Sequence, residues 1–134
     1  MNKMVINPPY KIRVAPSPIH GVGVFAIQKI WKGEVFEVAP VLEIPTKRGG
    51  EYNILPDYRF FFPRNSSNQI HVLGLGYSSF YNHSENPNAE WTDTKGQKSF
   101  DFYALRNIEV GEEITVYYGD SSYWESTGQI IDIK

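Results

Sequence analysis

Apolar residues along the chain fall into short runs set apart by glycine, proline and polar clusters. That is the spacing of strands and turns, not of helices. Residues 10–15 form a short β candidate. Pro16-Ser17-Pro18 and His20-Gly21-Val22-Gly23 then supply turn chemistry. Residues 24–27 read as a short buried strand and Trp31-Lys32-Gly33 as a turn. Residues 35–44 read as a strand broken near Pro40. Residues 52–62 are the best place for a short helix or an irregular aromatic segment, ended by Pro63. Residues 70–75 form a further strand, 78–81 one helical turn, and 82–88 an ordered polar loop. Residues 89–92 and 99–104 pair as a hairpin around Asp93-Thr94-Lys95-Gly96. A turn at Glu109-Val110-Gly111-Glu112 leads into a last strand over 114–118. The expected class is mainly β, with many short strands and little helix.

Composition narrows the picture. With 134 residues the expectation is a single domain, 1–134, large enough to bury a core. The chain has no cysteine, which excludes a disulfide framework and any thiolate metal site. Thirteen basic against 15 acidic residues leave a net charge of −2, a poor match to nucleic acid. The first nine residues hold no apolar signal-peptide core, and no apolar run approaches a membrane span. The expected location is therefore intracellular: cytoplasmic for a prokaryotic protein, nuclear or host-cell for a viral one. Three Trp, nine Tyr and eight Phe suit a β-rich core, and some of the tyrosines suit the wall of a binding channel.

Three stretches carry chemical information. Gly21-Val22-Gly23 is a turn whose glycines let a ligand approach the backbone; it opens no βαβ unit, so a dinucleotide fingerprint does not fit. Asn82-His83-Ser84-Glu85-Asn86-Pro87-Asn88 reads as a closed turn on composition alone. Its match to a glycosylation sequon, like that of Asn65-Ser66-Ser67, is accidental in a chain without a signal peptide. Gly111-Glu112-Glu113-Ile114-Thr115-Val116-Tyr117-Tyr118-Gly119-Asp120 reads as turn, strand and glycine turn.

Order and spacing give these stretches a joint meaning. A G-x-G-x-F-A turn, an N-H-S-x-x-P-N loop and, about thirty residues later, G-E-E-I-T-x-x-Y-G resemble the SET-domain protein lysine methyltransferases. Ile30-Trp31-Lys32-Gly33-Glu34 and Ala104-Leu105-Arg106-Asn107-Ile108 are also family-like. The resemblance covers about residues 12–120, leaving a short aromatic tail, 121–134. It is nearest to compact, stand-alone members of bacterial and large-virus type. It implies a β-clip-like fold of small curved sheets, in which the N-H-S loop and the last strand make a pseudoknot-like crossing.

The resemblance implies S-adenosylmethionine as cofactor and the ε-amine of a protein or peptide lysine as methyl acceptor. Carried over by position, Tyr118 orients methyl and amine, with Tyr58 as a second channel tyrosine. Gly21, Val22 and Gly23 meet the methionine portion of the cofactor, Asn82 its amino-acid end, and His83, through its backbone, the adenine. Trp124, with Tyr123, stacks on adenine, completes the lysine channel or simply packs in the core. The last motif departs from the family at Val116 and Tyr117. Val116 stands where the number of methyl groups is often set, and Tyr117 rivals Tyr118 as the functional tyrosine. A basic, flexible, histone-like segment is the expected substrate. A homodimer is a further expectation, to be checked by light scattering. No membrane or direct nucleic-acid partner is expected. The alternative is a catalytically inactive SET module that binds peptide or protein partners.

Overall fold

The computed structural model describes residues 5–43, 59–62 and 70–118. Its strands are β1 (Ile12–Pro16), β2 (Val22–Ala26), β3 (Val35–Glu43), β4 (Arg59–Phe62), β5 (Ile70–Gly74), β6 (Asn82–His83), β7 (Ala89–Asp93), β8 (Ser99–Ala104) and β9 (Glu113–Val116). A single 3-10 turn, Ser78–Phe80, is the helical element among these residues. Two small sheets result, ordered β1-β2-β9-β6 and β4-β5-β3-β8-β7. The mainly β expectation holds.

The strands form where β-branched and aromatic residues can alternate between core and surface. In β8, Phe100, Phe102 and Ala104 point into the core, while Asp101 and Tyr103 are half-buried. The hairpin with β7 keeps strict register from Ala89↔Ala104 to Asp93↔Phe100. Its turn closes through the Thr94 hydroxyl on Asp101 Oδ1 at 2.6 Å, with Gly96 at φ 85°. Phe60 of β4 meets Trp91 and Phe100, both at 5.4 Å between ring centroids. Val24, Ile30, Val72, Phe100, Phe102, Ile108 and Ile114 are fully buried and make the floor under both sheets.

Three expectations need correction. Residues 59–62 are strand, not helix or irregular chain, because they pair with β5 from Arg59↔Leu73 to Phe62↔Ile70; residues 52–58 lie outside the described residues. β3 does not break at Pro40. It pairs with β8 as far as Pro40↔Ser99 and with β5 from Val41↔Gly74 onward. Proline sits where the strand changes neighbours, so its missing N–H leaves no ladder bond unmade. Its carbonyl accepts the Leu75 N–H at 2.8 Å. The polar loop 82–88, finally, opens as the two-residue strand β6, which lies parallel to β9 with Asn82↔Thr115 and His83↔Val116. This pairing makes the expected crossing of loop and last strand.

Asn88 locks that crossing. It is 2% exposed; its Oδ1 accepts the Thr115 N–H at 2.8 Å, and its Nδ2 donates to Glu113 O at 2.8 Å and Glu112 Oε2 at 3.1 Å. Asn88→Ala strands a buried N–H and a carbonyl of β9, so a loss of about 3 kcal/mol in unfolding free energy is expected. Urea titration checks this; a loss below about 1 kcal/mol would show that β9 holds without the amide.

Candidate functional site

The site grows from β6 and from what β9 and the turn before β2 bring to it. Gly21 takes φ 48°, a left-handed conformation that favours glycine, and among the described residues no atom beyond its chain neighbours lies within 4 Å of where its Cβ would stand. Gly23 is glycine for another reason. A Cβ there would lie 2.3 Å from Glu113 Oε2 and 2.9 Å from Asn82 Nδ2. The group that approaches Gly23 is thus the protein's own carboxylate and amide. The Asn82 side chain binds the turn from below: its Nδ2 lies 3.1 Å from Val22 O, 3.2 Å from His20 O, 3.1 Å from Ser17 Oγ and 2.8 Å from Glu113 Oε2. Ser17 caps the same turn. Its hydroxyl lies 2.8 and 2.9 Å from the two Glu113 oxygens and accepts the Ile19 N–H at 2.9 Å.

The other end of β6 faces the C-terminal tyrosines. His83 is buried, and its Nδ1 accepts the Tyr118 N–H at 2.9 Å. The ring proton therefore sits on Nε2, which lies 3.5 Å from Glu85 Oε1. The His83 ring is close to both Tyr117 and Tyr118, at 5.2 and 5.3 Å between centroids. Tyr117 is 40% exposed, whereas Tyr118 packs against the core and its hydroxyl donates to the Tyr81 carbonyl. Val116, paired with His83, is fully buried.

Tyr81 anchors this end. It is fully buried, stacks on Phe102 at 4.6 Å and donates its hydroxyl to Glu37 Oε1 at 2.6 Å. Glu37, 3% exposed, also accepts the Tyr77 N–H at 2.7 Å. A register shift between Val35 and Glu37 lets Phe36 and Glu37 both turn inward, which strict alternation forbids. Burial pushes the Glu37 carboxyl above its ordinary range, against the pull of the Tyr77 and Tyr81 bonds. Burial, and then the Glu37 charge, hold the Tyr81 phenol well above its ordinary value, so it stays a donor.

The chain as a whole is similar to known proteins. The family model of the SET domain matches residues 21–119. Over 124 residues the chain is 31% identical to the histone-lysine N-methyltransferase, H3 lysine-37 specific, of Schizosaccharomyces pombe, covering 90% of this chain and 80% of that protein. It is 30% identical over 131 residues to an H3 lysine-4-specific histone-lysine N-methyltransferase of Aspergillus oryzae, spanning 10% of that longer protein. Among solved structures, a Plasmodium falciparum protein assigned as a histone methyltransferase superposes with a TM-score of 0.63 at 30% identity, covering 88% of this chain and 99% of that one. The chain belongs to the SET-domain family of protein lysine methyltransferases. As a member it is a protein-lysine N-methyltransferase.

Of the residues singled out from the sequence, the SET fold brings Gly21, Val22, Gly23, Asn82, His83 and Tyr118 around β2, β6 and β9. Tyr58, Tyr123 and Trp124 lie outside the described residues. Sequence reasoning assigned no part to Ser17, Glu37, Tyr81, Asn88 or Glu113. Asn88 and Glu113 stand inside the SET motifs, and a carboxylate within the apolar run around Glu37 was a usable signal for a buried bond.

Proposed function

We propose that this SET domain binds S-adenosylmethionine along the turn 21–23 and β6, and methylates a lysine ε-amine that reaches Tyr118 from the other side. The observation that carries the reading is Asn82. It is 9% exposed, its Nδ2 is held by the turn, and its Oδ1 accepts no hydrogen bond from the described residues. A buried acceptor left open beside a glycine turn fits the amino-acid end of such a cofactor. Gly21, with no atom of the described residues near where a Cβ would stand, adds room for backbone contact.

The chemistry the cofactor supplies when bound is a methyl group on a sulfonium, open to in-line attack by a neutral amine, so positioning dominates. Tyr118 spends its hydroxyl proton on the Tyr81 carbonyl. What remains on that oxygen is acceptor capacity, suited to an amine N–H and to weak C–H···O contacts with a methyl group. It orients and is not a general base. Tyr117, Tyr118 and His83 make an aromatic wall. Burial against such a wall disfavours the ammonium form of a lysine whose free value is about 10.4. The substrate we infer is a lysine in an extended basic segment, histone-like by analogy with the relatives.

The test is calorimetric titration with S-adenosylmethionine and S-adenosylhomocysteine. Micromolar binding that disappears in Asn82→Ala, followed by methyl transfer to a basic peptide array, is the expected result. No binding by folded wild-type protein would leave the inactive, peptide-binding SET module as the better reading.

A further inference from the structure

Asn82 has one nitrogen and one oxygen at the end of its side chain, and the neighbours decide which faces where. Around Nδ2 lie two backbone carbonyls, a hydroxyl and a carboxylate. The carbonyls and the carboxylate can only accept, so the nitrogen must point at them and the oxygen away. Two of these groups belong to side chains, Ser17 and Glu113, and those two also bind each other. Glu113 lies 31 residues from Asn82 and 96 from Ser17 in the chain, so only the folded crossing assembles the cluster. Among the described residues Glu113 has no Lys or Arg partner. A half-buried carboxylate held by neutral donors leaves negative charge uncompensated behind the amide.

Resting on the cofactor reading above, we propose that Glu113 and Ser17 are positioning residues. They hold the Asn82 nitrogen inward so that Oδ1 meets the α-ammonium group of the cofactor. Only a donor can meet that oxygen, and the ammonium is the donor at the amino-acid end. The Glu113 charge favours the same group. The turn follows from the arrangement too, because Gly23 is the slot through which the carboxylate reaches the amide.

The experiment titrates wild type, Glu113→Ala, Glu113→Gln and Ser17→Ala with two ligands. One is S-adenosylhomocysteine; the other is S-adenosyl-4-thiobutyrate, the same molecule without its α-amino group. Glu113→Ala is expected to weaken S-adenosylhomocysteine about 10-fold or more and the deaminated ligand less than about 2-fold. Glu113→Gln keeps an acceptor for Asn82 but not the charge, and is expected to recover part of the affinity for S-adenosylhomocysteine. Ser17→Ala loosens the carboxylate without removing it and is expected to cost about 3-fold on S-adenosylhomocysteine alone. A merely structural role would weaken both ligands alike. Equal losses on the two ligands, or none on either, overturn the proposal while the cofactor reading stands. Failure of wild type to bind either ligand overturns the cofactor reading first. If Glu113→Ala shows no cooperative thermal transition, the Ser17→Ala split between the two ligands decides.

Discussion

Tyr118→Phe is expected to lower turnover about 100-fold and to leave cofactor affinity within about 2-fold. The substitution removes one oxygen and little else. The ring stays against His83, and the Tyr118 N–H still reaches His83 Nδ1, so the segment after β9 keeps its anchor. What goes is the hydroxyl fixed on the Tyr81 carbonyl, and with it the acceptor proposed to align amine and methyl. The cofactor cradle proposed above lies at the Asn82 end of β6, where Asn82 binds Val22 and Glu113, and does not use that oxygen. Single-turnover methyl transfer beside calorimetric cofactor binding separates the two effects. Tyr117→Phe is the control, because that residue is 40% exposed and the substitution keeps its ring beside His83. Undiminished turnover in Tyr118→Phe would move the role to Tyr117 or to Tyr58.

Strand positions were legible because alternation in β8 and the glycine turn before it are local signals. Pro40 misled because a local rule, no proline inside a strand, was applied without its neighbours. The strand exchanges partners at that residue, and such an exchange is a tertiary fact. The aromatic run ending at Phe62 misled likewise, since Phe60 is drawn into strand by pairing with Val72 and packing on Trp91 and Phe100. At the site, the motif residues could be named but their partners could not. Asn82 to Ser17, His83 to Tyr118 and Tyr118 to Tyr81 are contacts across long stretches of chain. The sequence reading gave Gly23 a ligand contact through its backbone, but it did not foresee that Glu113 and Asn82 fill the space where a Cβ would stand. Glycine marks a close approach without naming what approaches.

Glu37 carries the largest expected effect on stability. Glu37→Ala leaves the Tyr77 N–H and the Tyr81 hydroxyl facing a cavity with no acceptor, which costs about 4 kcal/mol. Nearby repacking offers little relief, because Gly76, at φ 64°, has no side chain to fill the gap. Glu37→Gln separates the hydrogen bonds from the charge. Its carbonyl accepts the Tyr77 N–H, and its amide donates to the Tyr81 oxygen, whose hydroxyl turns. The sign with pH follows from the raised carboxyl. Folded protein holds the Glu37 proton to higher pH than unfolded protein does. The Glu37 contribution to wild-type stability is therefore lost as pH rises from the ordinary value of 4.5 through the raised one, and changes no further above it. Glu34 and Glu112 run the other way. Burial raises each, but for Glu34 the Lys11 and Trp31 bonds, and for Glu112 the Glu109 N–H and Arg106, outweigh it and hold the carboxyl low. Their stabilisation is present above 4.5 and lost on acidification. Both are present in wild type and in Glu37→Gln, so they cancel in the difference. Urea midpoints of the two proteins between about pH 4 and 8 should diverge in favour of glutamine as pH rises. A difference that stays constant across that range would mean that Glu37 ionises as readily in the fold as outside it.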